Sequence, residues 1–280
     1  MLRREFVDKY NEDVTEAFRE LFNTCHINMF HPGDLLLCQQ NGFLLGKDTV
    51  IGFGEEGLNS IQHINSLCYA GIGAMTEDRD YFKKNGNGDL NGISELELTT
   101  NQEINNFQMI WENDFFLRVL AEVIRIARGE KYDWMLNMYN VKNKSNFIRD
   151  NIKKKLDVSP KFKSAVEIGY HRQIRNAKSH SQYHLIQEGI WFDKINQNNA
   201  DEVVAIGFEE WEQIYCYSYF IFRGLFEHLK SIVQQLYMPM VRITSNGGIP
   251  VLCYYYDGTW RECYVFPDKT GHTWRFIKTN

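Results

Sequence analysis

Apolar and aromatic residues recur at helical spacing in two long segments of the chain, residues 105–128 and 208–237. A helix with such a face must bury it, either in a core or against a second copy. The sequence therefore predicts a mainly helical protein. One face of the second helix carries aromatic residues predicted to form core or dimer interface: Trp211, Tyr215, Tyr219, Phe222 and Phe226.

Shorter patterns complete the predicted organisation. Helices are also expected over residues 3–24, 144–156 and 161–187. Alternating segments separated by turn residues predict one hairpin within 35–51 and another within 190–207, and residues 83–92 are expected to form a loop. The last forty residues predict a meander with strands at 241–244, 251–256, 261–266 and 273–277. We divide the chain into an N-terminal α/β extension (1–100), a helical core (101–239) and a small C-terminal antiparallel β-meander (240–280).

Composition and cysteine usage indicate where such a chain works. Hydrophobic residues make up 44% of the sequence, which supports a sizeable core. No apolar run reaches the roughly 18 residues that span a bilayer, and Met1–Asp8 has no apolar segment behind its arginines. The six cysteines are scattered, without a Cys-x-x-Cys pair, which is typical of reduced thiols. We therefore expect a cytoplasmic protein that does not enter a membrane.

The charge of the chain is unevenly distributed. A net charge of −5 argues against a dedicated duplex-DNA binder. Residues 142–180, however, contain eleven Lys or Arg and only three acidic residues. Such a segment is typical either of a nucleic-acid footprint or of a solvated helix face, and charge alone does not separate the two.

No cofactor or metal is expected from the remaining motifs. Gly52–Gly57 matches the dinucleotide pattern G-x-G-x-x-G, but two glutamates stand where the anion would lie, and the preceding strands are predicted to be antiparallel. His180 and His184 have the spacing of a zinc pair, yet no third ligand accompanies them.

One short motif carries a more specific signal. Arg175-Asn176-Ala177-Lys178-Ser179-His180 is the only R-N-x-x-x-H match in the chain. It resembles the R-x(4–6)-H motif of HEPN domains, small α-helical bundles found in toxins, abortive-infection proteins and CRISPR-associated ribonucleases. The resemblance covers the motif and its helical surroundings, residues 105–237. It implies a metal-independent endoribonuclease, of the toxin or phage-defence type, with a composite site at a homodimer interface. It also implies products with 2′,3′-cyclic phosphate and 5′-hydroxyl ends.

Helical geometry and side-chain chemistry agree with this implication. In one continuous helix, Arg172, Asn176, His180 and His184 form a polar stripe at successive i, i+4 positions. Arg175 and His180 lie about 140° apart around the same helix, so they do not stand side by side. A second copy of the chain, with its helix facing the first, would bring arginines and histidines into one cleft. A histidine can exchange a proton with the RNA 2′-hydroxyl, and an arginine can hold the phosphate.

The predicted site follows from these roles. The catalytic residues are Arg175, Asn176 and His180; the RNA-binding residues are Arg172, Lys178, His184, Lys153 and Lys154. Each catalytic residue has an ordinary alternative: an ion-paired arginine, a polar asparagine without a role, and a partly buried structural histidine. The alternatives for the whole chain are a catalytically silent HEPN-like module that binds a nucleotide, RNA or a protein, and a dimeric scaffold. Because an uncontrolled ribonuclease would be toxic, we also expect a regulatory or antitoxin protein, or inhibition by the chain's own extensions.

Overall fold

A computed structural model describes most of the chain. The described residues are 4–39, 50–51, 59–69, 72, 95–186, 189–195, 202–243, 248–255, 257–267 and 273–277. The predicted loop 83–92, the glycine pattern 52–57 and most of the strand predicted before residue 51 lie outside them.

The described chain is mainly helical, as predicted. Its helices are α1 (Arg4–Asn28), α2 (Asp34–Leu37), α3 (residues 59–69), α4 (Glu95–Glu112), α5 (Asp114–Ala127), α6 (Lys144–Phe147), α7 (Pro160–Gly169), α8 (Arg172–Ser179), α9 (Phe208–Ile232) and α10 (Met238–Ile243). Its strands are β1 (Val50–Ile51), β2 (Tyr183–Ile186), β3 (Gly189–Phe192), β4 (Ala205–Gly207), β5 (Ile249–Tyr254), β6 (Trp260–Pro267) and β7 (Trp274–Ile277). None of the described helices combines the length and apolar character needed to cross a bilayer.

Contacts group the residues into two compact units. The motif unit comprises Met1–Glu16, Ile61–Asn113 and Ser164–Arg223, and the companion unit comprises Ala17–Ser60, Asp114–Lys163 and Gly224–Asn280. Both units combine separate stretches of chain. The three sequence segments 1–100, 101–239 and 240–280 remain a prediction about domain organisation.

The motif unit is built around aromatic residues of α4 and α9. Trp111 and Trp211 are fully buried, and both indoles have hydrogen-bond acceptors. Trp111 Nε1 donates to the Gly169 carbonyl at 3.2 Å and to Ser218 Oγ at 3.1 Å, while Trp211 Nε1 donates to Glu103 Oε2 at 2.8 Å. Buried indoles that keep their hydrogen bonds add apolar burial without a desolvation penalty. The predicted aromatic face of α9 is therefore buried.

A three-stranded antiparallel sheet completes the motif unit. Its order is β2-β3-β4, with Tyr183 opposite Phe192 and Trp191 opposite Ala205. Ile190, Phe192 and Ile206 are buried on one face of this sheet. The hairpin predicted within 190–207 is thus confirmed by the pairing of β3 with β4, and β2 adds a strand that the sequence prediction had assigned to a helix.

The companion unit contains a four-stranded antiparallel sheet in the order β1-β7-β6-β5. Three of the four strands predicted for the meander are confirmed as β5, β6 and β7. The first, 241–244, is wrong over its described residues 241–243, which belong to α10. Pro239 lies inside a continuous helical run, because the π-helical turn Val233–Tyr237 leads from α9 directly into α10.

The hairpin predicted within 35–51 is also wrong. Leu35 and its neighbours form α2. Asp34 closes the turn before this helix, because its Oδ2 accepts hydrogen bonds from the backbone N–H groups of Phe30 and His31, both at 2.9 Å. Val50–Ile51 pairs with β7 instead of with residues 35–39. Local hydrogen bonding between a side chain and the preceding backbone therefore competes with the alternating pattern.

Three predicted helices have different bounds in the structure. The helix predicted over 105–128 is divided at Asn113 into α4 and α5, and the basic segment 144–156 forms α6 followed by π-helical and 3-10 turns. The helix predicted over 161–187 consists of α7 and α8, separated at Tyr170–His171, and it ends at Ser179. The polar stripe predicted along one helix is therefore wrong for His184, which lies on β2.

Candidate functional site

The motif helix α8 is held against α4 at its C-terminal half. The Arg175 guanidinium forms an ion pair with the Glu112 carboxylate, and Gln108 Nε2 donates to Ser179 Oγ at 3.0 Å. Ser179 Oγ also donates to the Arg175 carbonyl at 3.0 Å. These contacts fix the turn of α8 that carries the motif.

The first turn of α8 is fixed to the approach to β4. Gln173 Nε2 donates to the Val203 carbonyl at 2.8 Å, and the Val203 N–H donates to Gln173 Oε1 at 2.9 Å. Because Gln173 is buried and both halves of its amide are paired, its side chain acts as a two-point connection between α8 and the sheet.

His180 caps the C-terminal end of α8. Its backbone N–H donates to the Asn176 carbonyl at 3.2 Å, and the chain then turns at Ser181, which has a φ of 52°. The Gln182 N–H donates to the Ala177 carbonyl at 2.8 Å, which closes the helix end. This turn directs the chain into β2 and leaves His180 at the boundary between helix and sheet.

The three predicted catalytic residues have different environments. The His180 side chain is exposed, and it makes no hydrogen bond with any residue in the described ranges; it is therefore not a buried structural histidine. Asn176, half-buried one turn earlier, likewise has no side-chain hydrogen bond to the described part of the chain. The Arg175 side chain is only 12% exposed and is paired with Glu112, which matches the ion-paired alternative.

The predicted RNA-binding residues divide between the two units. Arg172 is exposed on the first turn of α8, and Lys178 Nζ lies 5.9 Å from the centre of the Tyr183 ring. His184 is exposed on β2. Lys153 and Lys154 belong to the companion unit, where Lys154 Nζ pairs with Asp150 Oδ1 at 2.9 Å.

Tyr183 has a structural part in the site. Its hydroxyl donates to Asn101 Oδ1 at 2.8 Å, and burial raises its pKa, so the hydroxyl keeps its proton at neutral pH. This bond connects β2 to α4, the helix that also holds Arg175. Tyr183 thus links the two neighbours of α8 to each other.

Several residues of the site escaped prediction. Glu112, Gln108 and Gln173 position α8, yet their sequence positions carry no motif. Glu112 is the last residue of α4, and the sequence offered only a continuous helix through it. Trp191 lies on β3 opposite His184 and is 39% exposed. The alternation of residues along the strand is the only sequence feature that could have predicted its exposure.

The described residues contain no cluster of three or more metal-ligating side chains. His184 has one carboxylate neighbour, with Nδ1 2.7 Å from Asp193 Oδ1. The chemistry available at α8 is therefore that of an exposed imidazole, an amide and cationic side chains.

Comparison with known proteins found no family model, no curated protein and no solved structure that matches the chain. The resemblance to HEPN domains therefore rests on residues 175–180 and their helical surroundings.

Proposed function

We propose that the chain is a HEPN-like, metal-independent endoribonuclease, of the toxin or phage-defence type that the motif implies. The observation that carries the proposal is the exposed His180 at the end of α8, one turn from Asn176 and two turns from the exposed Arg172. The helix contains three cationic residues and no acidic one. This arrangement suits a phosphate whose neighbouring 2′-hydroxyl must lose a proton.

The proposed reaction is an internal transesterification. His180 takes the proton of the 2′-hydroxyl, whose oxygen attacks the adjacent phosphorus, and the bond from phosphorus to the 5′-oxygen breaks. The products are a 2′,3′-cyclic phosphate and a 5′-hydroxyl. The 5′-oxygen needs a proton as it leaves, and His180 of a second copy would supply it in a homodimeric site. Cationic side chains stabilise the charge on the phosphate oxygens.

Arg175 has to change partner for this chemistry. Its ion pair with Glu112 holds the guanidinium beside α8, and the phosphate would compete with that carboxylate. Asn176 would orient either the phosphate or the imidazole through its amide. A regulatory or antitoxin protein that shields His180 would then control the activity.

The test is cleavage of total RNA or tRNA in the presence of EDTA. Wild-type protein should cut, and His180→Ala should not. His63→Ala is the matched control, because His63 is an exposed histidine of the same unit outside α8. Both variants should keep the wild-type circular dichroism spectrum and melting temperature. Cleavage that requires a metal ion, or that survives in His180→Ala, contradicts the proposal.

A catalytically silent module that binds RNA or a nucleotide is the second candidate. The Arg175–Glu112 ion pair favours it, because it neutralises the arginine that the motif would use on the phosphate. RNA binding without cleavage by wild-type protein that has been freed of any co-purifying regulatory protein would favour this candidate.

A further inference from the structure

The outer face of the β2-β3-β4 sheet carries an exposed aromatic pair. Trp191 on β3 lies directly opposite His184 on β2, with ring centres 6.3 Å apart and planes inclined by 30°. Trp191 is 39% exposed, and the His184 side chain is 54% exposed. Burying an exposed indole is favourable, so a planar ligand that covered Trp191 would gain binding free energy.

The His184 ring is held in place by its neighbour. Nδ1 lies 2.7 Å from Asp193 Oδ1, and Asp193 is itself fixed by its backbone N–H, which donates to the Gln182 carbonyl at 3.0 Å. This pairing fixes the imidazole beside the indole while its Nε2 remains available. An ordered ring loses little conformational entropy when a second ring stacks on it.

Small residues lie on the β4 side of Trp191, and the apolar Ile186 of β2 lies on the same face, opposite Gly189. Its partner on β4 is Ala205, and the neighbouring register positions are Gly189 and Gly207. Ala205 and Gly207 are exposed. Because none of these three small residues carries a large side chain, the surface on the β4 side of the indole is open to a flat ring.

The aromatic pair lies close to the motif. His184 follows His180 by four positions, so their Cα atoms are at most about 14 Å apart. The cations of α8, Arg172 and Lys178, belong to the same unit. A single strand of RNA has the complementary arrangement, with anionic phosphates beside planar bases.

We infer that Trp191 and His184 form a stacking site for a nucleobase of single-stranded RNA, next to the scissile phosphate held at α8. The inference rests on the proposed function, since it assigns the substrate class to the same site. A base in a duplex is already stacked and cannot occupy this face, so the site selects unpaired loops, bulges and ends. Aromatic stacking accepts every base, so the preference is for strandedness over sequence.

Binding of a short single-stranded 2′-O-methyl RNA to the full-length chain tests the inference, because that oligonucleotide has no 2′-hydroxyl to attack. Fluorescence anisotropy should give a Kd about 5- to 150-fold weaker for Trp191→Ala, the usual range for loss of one stacked base. Trp191→Phe should retain most of the affinity. Trp260→Ala is the matched control, a tryptophan exposed to a similar extent (38%) on a strand of the companion unit, and should bind as wild type.

An oligonucleotide with abasic sites sharpens the test, since Trp191→Ala and wild type should bind it equally. Equal Kd values of wild type and Trp191→Ala for the intact oligonucleotide would overturn the inference. Equal losses of RNA affinity in Trp191→Ala and Trp260→Ala, or no RNA binding by wild type, would also overturn it. A change of oligomeric state without a change of RNA affinity would also overturn it, and would make this face a protein interface.

Failure of the stacking site and failure of the ribonuclease are distinguishable. Cleavage by wild type with unchanged kcat/KM in Trp191→Ala would leave the ribonuclease standing without the stacking site. Trp191-dependent binding without cleavage would leave the stacking site standing in a silent binding module.

Discussion

The cations of residues 142–180 fall into two regions that differ in their partners. In residues 142–163, which belong to the companion unit, carboxylates neutralise much of the positive charge. Lys144 Nζ lies 2.7 Å from Asp114 Oδ1, and Lys154 Nζ lies 2.9 Å from Asp150 Oδ1. Carboxylates beside these cations or elsewhere in the sequence therefore offset part of the positive charge of this segment.

On α8 the balance is different. Arg172 and Lys178 have no ion-pair partner among the described residues, and only Arg175 is paired, with Glu112. The comparison shows that an excess of positive residues along a sequence does not equal an accessible positive surface. Although α8 holds fewer cations than the other region, two of its three have no ion-pair partner among the described residues.

Among the substitutions of cations, Arg175→Ala should have the largest effect on activity. Loss of a group that stabilises transition-state charge lowers kcat/KM about 100- to 1,000-fold, which steady-state cleavage assays would measure. Arg149→Ala is the control, because Arg149 is exposed and paired with Asp150 in the companion unit, and it should cleave like wild type. Equal activities of the two variants would remove the distinction between the regions.

Stability should depend on a buried carboxylate of the companion unit. Burial raises the pKa of Glu122 to about 7 from its ordinary 4.5, although Arg125 lies 3.9 Å away and the Asp133 N–H donates to the carboxylate at 2.9 Å. The folded state holds this proton more tightly than the unfolded state. The stability contributed by this proton is therefore complete below about pH 4.5 and is lost as pH rises to about 7.

Urea denaturation of wild type and Glu122→Gln across this range measures the effect. The free energy of unfolding of wild type relative to the variant should fall with rising pH by an amount on the order of 3 kcal/mol. RNA affinity should be unaffected in the variant where both proteins are folded. A difference that stays constant, or that grows with pH, would contradict this account of Glu122.

Salt dependence compares the cations of the two regions directly. Arg172→Ala and Lys178→Ala should each reduce the slope of log affinity against log salt concentration by about 0.7, the value for one lost contact to a single strand. Lys154→Ala should reduce the slope less, because Asp150, which also pairs with Arg149, offsets part of that charge. If all three variants reduce the slope equally, the basic segment 144–156, which contains Lys154, binds RNA as well.

The smallest effect is expected from Glu112→Gln. Removing the carboxylate releases Arg175 to the phosphate, and a partly exposed ion pair contributes up to about 1 kcal/mol, so RNA should bind at most about fivefold more tightly. In an Arg175→Ala background the same change should have no effect on the Kd. A double-mutant cycle built from Kd values measures this coupling, and a coupling of zero would show that the ion pair does not limit binding.

Much of the helical fold was predictable from periodicity. α1, α9 and three C-terminal strands follow their apolar patterns because the patterned face is the face that is buried. The errors occur where a local interaction overrides the pattern. Asp34 closes the turn before a short helix in a segment that alternates like a strand, and a π-helical turn carries the helical run through Pro239.

The candidate site was predictable in its residue types but only partly in its geometry. The motif identified Arg175, Asn176 and His180, whereas the end of α8 at Ser179 depends on the turn at Ser181, which no propensity indicates. Because of that turn, His184 lies on a strand and not on the predicted helix. Glu112 was beyond prediction, since its pairing depends on how α4 packs against α8.

The most direct test of the central claim uses an RNA whose scissile nucleotide is known from wild-type cleavage in EDTA. A single 2′-deoxy substitution at that nucleotide should abolish cleavage there, and the unsubstituted RNA should yield 2′,3′-cyclic phosphate and 5′-hydroxyl ends, with His180→Ala inactive on both. Continued cleavage of the substituted RNA, or 5′-phosphate ends, would contradict attack by the 2′-hydroxyl and with it the role assigned to His180.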